Sequence, residues 1–283
     1  MPIPFRHVTV LGVGLVGGSF ALALRRAFPE VSIAGWDREE VLERARQCGA
    51  IDDARAELAA ACRGADLVYL ALPVEETLRR LPEIAAAAPP EALVTDSAST
   101  KAAVCEAAGR AFVPPRFFLG GHPVAGREQG GIANASPDLF RGAPYALMGA
   151  SGESDARAAR LAEVVAAIGA RAVWLDPAEH DRLFAYLSHL PQLASIALAE
   201  TVLAGAGDAA RLLAGPGLGD STRLAGSPYE LWAGICRTSP QLDEALVRLI
   251  ESLEGIRARL RDPSLAQDFD RAARLYKILR QME

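Results

Sequence analysis

Gly12-Val13-Gly14-Leu15-Val16-Gly17 decides the fold of this 283-residue chain. The run follows an apolar stretch, residues 7–12 (HVTVLG), with the character of a buried strand, and it opens a helical pattern over residues 15–27. A GxGxxG set between strand and helix serves three needs: a tight turn, close backbone approach to a pyrophosphate, and close packing of helix on strand. The first helical turn then offers free amide N–H groups to the phosphates. An acid at the end of the second strand completes the pattern. Asp37 closes residues 32–37 (SIAGWD), where a carboxylate accepts the adenosine ribose hydroxyls and repels a 2′-phosphate. Gly12, Gly14, Leu15, Val16, Gly17 and Asp37 therefore predict a dinucleotide site with NAD as cofactor. Arg38 keeps NADP open beside it, because a guanidinium can meet a 2′-phosphate.

Outward from this motif, strands and helices alternate. Residues 39–47 form a polar-faced helical pattern, and residues 66–72 (DLVYLAL) a continuous β-type run that stops at Pro73. Residues 93–96 and 117–121 are further strands, and residues 145–149 and 171–175 flank a helix at 156–168. Such alternation predicts one parallel sheet covered on both faces, a Rossmann-type doubly wound α/β domain. Sheet ligands lie beyond the carboxyl ends of strands, so Ala71, Leu72 and Pro73 should pass near the ribose or nicotinamide. After Pro177 only helical periodicity remains. The expected division is a dinucleotide-binding domain over 1–177 and an all-α C-terminal domain over 178–283. Residues 187–203 are apolar nearly all round, which suits a helix buried on several sides. A domain of about a hundred residues gains such burial most readily from a second subunit; a homodimer through the helical domain is expected.

Composition narrows the function. The chain is 51% hydrophobic with a formal charge of −5, and no basic stripe supports binding to nucleic acid or a membrane surface. No apolar run reaches the roughly 20 residues that span a bilayer. The first residues lead straight into a strand, leaving no room for a signal peptide, so a cytoplasmic protein with a small-molecule substrate is expected. Cys48, Cys62, Cys105 and Cys236 are scattered without a CxxC pair, as in reduced cytosolic proteins. His7, His122, His180 and His189 form no ligand pair on one helical face, so no metal is expected.

Two strand ends carry unusual polar loops: Asp96-Ser97-Ala98-Ser99-Thr100-Lys101 and Gly120-Gly121-His122-Pro123-Val124-Ala125-Gly126. Both should emerge on the cofactor edge of the sheet. Removing hydride from a carbinol leaves a positive carbon unless the hydroxyl proton departs too, and a neutral imidazole can take it. His122 is the candidate base, with a nearby serine to orient the imidazole or the substrate oxygen. His189 lies in an apolar helical segment, where a satisfied core histidine is the ordinary outcome. Arg223 is either an exposed helix residue or, for a carboxylate substrate, a bidentate binder.

Taken in order, GxGLxGGS, DSxSTK, GGHPxAG, SHLPQ and DSTRLAxSxxxLW resemble the prephenate/arogenate (cyclohexadienyl) dehydrogenase family of tyrosine biosynthesis. The likeness runs from about His7 to Trp232 and continues as helices. It implies oxidative decarboxylation of a cyclohexadienol: hydride leaves the hydroxyl-bearing ring carbon for NAD, the ring carboxylate departs as carbon dioxide, and the ring becomes aromatic. By that resemblance His122 takes the hydroxyl proton, Ser99 positions the imidazole, hydroxyl and nicotinamide, Arg223 binds the ring carboxylate, and His189 lies near the substrate's side chain. Gln192, close to His189, is neutral and can bond a ketoacid or an amino acid, which favours prephenate and leaves arogenate, or an amino-substituted prephenate, open. The fused chorismate mutase and regulatory ACT domain of some family members are not expected. Helical-domain lysine dehydrogenases of the β-hydroxyacid or ketopantoate reductase type are a poor match, since Lys101 and Lys277 are the only lysines. A non-catalytic dinucleotide sensor would not need His122, Ser99 and Arg223 together.

Overall fold

The computed structural model describes residues 4–127, 129–149 and 155–280. The extreme ends of the two predicted domains lie outside the described residues. Strands β1 (His7–Leu11), β2 (Ser32–Trp36), β3 (Asp53–Ala54), β4 (Leu67–Leu70), β5 (Leu93–Asp96) and β6 (Phe117–Leu119) form a parallel sheet in the order β3-β2-β1-β4-β5-β6. Helices α1 (Leu15–Ala27), α2 (Glu39–Gln47), α3 (Leu58–Cys62), α4 (Val74–Ala87) and α5 (Ala102–Ala111) make the crossovers.

The central strands β1 and β4 are mostly apolar and buried because both faces are covered. On β4, Leu67 and Tyr69 join a core containing Phe20 and Leu24 of α1. Their neighbours Val68 and Leu70 point the other way, into a core with Leu81 and Ile84 of α4. Connections from β1 and β4 leave in opposite directions. A crevice therefore opens at the carboxyl ends of these strands, where Gly12, Asp37, Ala71 and Ser97 emerge.

One expectation needs correction. The strands after β6 do not extend the parallel sheet. β7 (Gly121–Pro123), β8 (Pro144–Met148) and β9 (Arg171–Leu175) form a separate three-stranded sheet, with β7 antiparallel and β9 parallel to β8. Helix α6 (Ala156–Ala167) lies between β8 and β9 in the chain. The stretch expected as one strand over 117–121 breaks at Gly120. A Cβ there would lie 2.7 Å from both Cys105 Sγ and Met148 Cγ. The Gly120 carbonyl instead accepts the Met148 N–H at 2.9 Å, committing the next residues to β8.

From Pro177 onward the described chain is helical: α7 (Pro177–Phe184), a π-helical turn at Ala185–His189, α8 (Leu190–Ala206), α9 (Ala209–Leu213), α10 (Pro216–Thr222), a 3₁₀ turn at Arg223–Gly226, α11 (Tyr229–Thr238), α12 (Gln241–Ala258) and α13 (Ala266–Arg280). Asp176 starts α7 by accepting the N–H groups of Ala178 and Glu179 at 2.8 and 3.2 Å, with Pro177 in the first turn. Two compact units emerge, one ending at Ser239 and the other beginning at Pro240, so the change from strands to helices falls inside the first. The segment expected to be buried on several sides is not buried in the single chain. Leu187 and Leu203 are 70% and 67% exposed, and the buried residues of α8 are Gln192 and Ser195. Among the described residues, no helix is long and apolar enough to cross a membrane.

Candidate active site

The crevice is shaped by the glycine run. Gly12 has φ +88°, which favours glycine, and a Cβ there would lie 2.3 Å from the Ala71 carbonyl oxygen. At Gly17 a Cβ would fall 1.9 Å from the Gly12 oxygen, so this position lets α1 close on the strand. Gly14 differs, since a Cβ there meets nothing within 4 Å. It lines a cavity of about 640 Å³ together with Leu15, Val16, Asp37, Arg38 and Leu72. Ala71 and Pro73 also line it. An open cradle over the second glycine, at the start of a thirteen-residue helix, suits a pyrophosphate. Asp37 Oδ2 accepts the Val13 N–H and Oδ1 the Arg38 N–H, both at 2.7 Å. These bonds fix the carboxylate at the cavity wall with lone pairs left for hydroxyls.

A second cavity, of about 590 Å³, brings together His122, Ser99 and Arg223. Val16, Ser97, Ser99, Arg127 and Trp232 line both cavities, so the two share a wall. No carboxylate is among the described residues that line the second, whereas Arg127 and Arg223 both do.

His122 sits in β7, opposite Ala146 of β8, rather than in a loop. The peptide groups of its neighbour Gly121 are tied to two charged side chains, both fully buried. Asp96 Oδ1 accepts the Gly121 N–H at 3.0 Å, and Lys101 Nζ donates to the Gly121 carbonyl at 2.8 Å. Lys101 Nζ also donates to Asp96 Oδ2, which accepts the Ala98 N–H at 3.0 Å. One buried ion pair thus joins the serine loop to the histidine strand, each partner also hydrogen-bonded to backbone.

His122 is 8% exposed, and its Nδ1 lies 2.8 Å from His180 Nε2. His180 Nδ1 in turn lies 2.8 Å from Asp181 Oδ1. Burial, reinforced by His180, Lys101 and His189, holds the His122 pKa well below the usual histidine value, so its ring is neutral at neutral pH. His180 is lowered chiefly by burial, against the pull of its bond to Asp181.

His189 and Gln192 do not line the cavity. His189 is fully buried, its Nδ1 3.2 Å from Ser239 Oγ, and burial lowers its pKa to about 4. Its Nε2 has no hydrogen-bond partner among the described residues. Gln192 Nε2 donates to the Leu224 carbonyl at 2.8 Å, and Ser195 Oγ accepts the Ala225 N–H at 3.1 Å. Both α8 side chains hold the turn that carries Arg223.

Comparison with known proteins then decides the family. Residues 20–174 match the family described as "Prephenate dehydrogenase, nucleotide-binding domain", and residues 176–281 match "Prephenate dehydrogenase, dimerization domain". The chain belongs to the prephenate dehydrogenase family. A prephenate dehydrogenase of Lactococcus lactis subsp. cremoris is 32% identical over 268 residues, 92% of this chain and 71% of that protein. A cyclohexadienyl dehydrogenase of Zymomonas mobilis subsp. mobilis is 29% identical over 90% of this chain and 89% of its own length. A crystal structure of prephenate dehydrogenase from A. aeolicus in complex with hydroxyphenyl propionate and NAD+ has a TM-score of 0.83 at 25% identity, covering 98% of this chain and 97% of that one. The resemblance carried by the five motifs is thereby borne out.

In this prephenate dehydrogenase family member, sequence reasoning missed His180, Asp181, Asp96 and Lys101. Asp96 and Lys101 stood inside a quoted motif but were given no task. His180 and Asp181 form an ordinary dipeptide on a helix, and no spacing rule connects them with a histidine 58 positions earlier.

Proposed function

We propose that this chain catalyses the NAD-dependent oxidative decarboxylation of prephenate to 4-hydroxyphenylpyruvate, in tyrosine biosynthesis. The observation that carries the reading is the shared wall. A neutral buried imidazole and a guanidinium line one cavity, and that cavity abuts the glycine cradle. Its volume lies within the usual range for small-ligand sites.

NAD bound in the cradle supplies the acceptor for hydride from the hydroxyl-bearing ring carbon. His122 takes the hydroxyl proton as that carbon becomes carbonyl-like, and Ser99 orients the hydroxyl beside it. Arg223 holds the ring carboxylate, which leaves as carbon dioxide while its bonding electrons complete the aromatic ring. Aromatisation supplies most of the driving force, so the side chains chiefly orient the reactants. Arg127 gives the cavity a second cation, which suits a substrate with two carboxylates better than one whose side chain also bears an ammonium group. Arogenate is the alternative substrate. Asp37 favours NAD, and Arg38 leaves NADP as the alternative cofactor.

We place the domain division near Pro177 and propose a cytoplasmic homodimer formed through the helical domain. Two features support the dimer: the match of residues 176–281 to a dimerization domain, and exposed apolar side chains on α12 (Val247, Ile250, Leu253) and α13 (Phe269, Leu275, Leu279).

Purified protein should reduce NAD on addition of prephenate, releasing one carbon dioxide per NADH. Arogenate and NADP, assayed side by side, should give lower kcat/KM. Absence of NADH formation with either substrate would leave the chain a dinucleotide-binding protein without this activity.

A further inference from the structure

The buried row behind His122 determines which of its nitrogens can act as a base. Asp181 begins the row. Its Oδ1 accepts the Lys101 N–H at 2.7 Å and its Oδ2 the Ala102 N–H at 2.9 Å. Both oxygens serve as acceptors, so the His180 nitrogen 2.8 Å from Oδ1 must be the one bearing hydrogen. With its proton on Nδ1, a neutral His180 presents a lone pair at Nε2. That lone pair lies 2.8 Å from His122 Nδ1, which must therefore donate. The remaining nitrogen of His122, Nε2, is left with the lone pair for the cavity that the residue lines.

The row is mechanically fixed as well. Phe184 stacks on His180 at 4.2 Å between centroids and packs against His122 at 4.8 Å. His180 and Asp181 are both fully buried. Asp181 is anchored by the start of α5, immediately after the Lys101 that ties down Gly121. The row and the ion pair thus hold His122 from two sides.

We propose that His180 and Asp181 are positioning residues for the base: they lock His122 in its Nδ1–H tautomer and stabilise the imidazolium formed when Nε2 takes the substrate's hydroxyl proton. In that step the oxygen–hydrogen bond breaks with its electron pair left on oxygen, and a nitrogen–hydrogen bond forms at Nε2. The proton on Nδ1 stays in its bond to His180, strengthened by the new positive charge. An acceptor behind the base thus supports each turnover without itself touching substrate.

The inference rests on His122 being the base, and the test separates the two. His180→Gln keeps a side-chain oxygen able to accept from His122 Nδ1–H, whereas His180→Leu removes the acceptor. The expected result is a fall in kcat of roughly 10²-fold for His180→Leu, with KM for prephenate within about threefold of the parent, and recovery of most of the loss in His180→Gln. Equal losses in both variants, or full activity in a folded His180→Leu, overturn the proposal. If His180→Leu does not fold, the parent protein still decides it. Nitrogen-15 spectra of the histidine rings should show His122 protonated at Nδ1 and bare at Nε2, and the opposite tautomer overturns the proposal. A fully active His122→Asn would instead remove the base itself, whatever His180 does.

Discussion

The two adjoining cavities are built from different material. The cradle around Gly14 is shaped by main chain left open at the glycines, and it draws on loops that directly follow β1, β2, β4 and β5. Its selectivity comes from the absence of Cβ atoms at Gly12, Gly14 and Gly17 and from the carboxylate of Asp37. The cavity around His122 is made of side chains from distant segments: Ser99, His122, Ser188, Arg223 and Trp232. His122 is held from behind by His180 and Asp181, and the turn carrying Arg223 by Gln192 and Ser195. A main-chain site tolerates many neighbours provided its glycines are kept. A side-chain site fails when any member, or the group that fixes it, is removed.

Predictions follow from that contrast. The largest effect should come from the second cavity: His122→Asn should lower kcat by roughly 10²–10⁴-fold, the usual worth of a general base, with NAD affinity unchanged. Near-normal turnover in that variant would place the base elsewhere. Arg223→Ala should raise KM for prephenate by roughly 10- to 100-fold, the value of charge-assisted bonds to a carboxylate, and alter kcat less. Steady-state kinetics on the two variants would break the contrast if the arginine variant lost only turnover.

A smaller effect concerns stability against acid. His122, His180 and His189 are all held below the ordinary histidine value, burial being the first cause in each. An unfolded chain therefore binds more protons below about pH 6.5, so the stability they allow is present above that pH and is lost as pH falls toward their folded values. His189, lowered to about 4, alone removes about 2 kcal/mol between pH 7 and pH 5. Urea midpoints at the two pH values should differ accordingly, and equal midpoints would mean the rings are not buried neutral. The smallest effect belongs to the cradle. Asp37→Ser should weaken NAD binding by about tenfold and narrow the gap to NADP, with kcat at saturation unchanged.

What could be read in the sequence follows the same division. The GxGxxG run and Asp37 were legible because a main-chain site is written in consecutive residues after a strand. The burial of β1, β4 and β5 was legible because strands covered on both faces read as short, mostly apolar runs rather than alternating ones. The second sheet was not. Its pairing depends on Gly120 leaving β6 and meeting Met148, a contact with no local signature. Residues 187–203 misled in another way: apolar content predicts that a surface will be covered, not that the same chain covers it. His122, Ser99 and Arg223 were singled out by loop chemistry and resemblance together. His180 and Asp181 stayed hidden because their task exists only once α7 is packed behind β7.

The most direct measurement is a crystal structure with NAD and 4-hydroxyphenylpyruvate bound together. The account predicts the phenolic oxygen within about 3 Å of His122 Nε2, Arg223 beside the ring carbon that bore the carboxylate, and the nicotinamide against the ring from the Ser97–Ser99 side. A ring seated instead in the separate cavity of about 660 Å³ lined by Cys105, Phe112 and Met148, away from the glycine cradle, would contradict it.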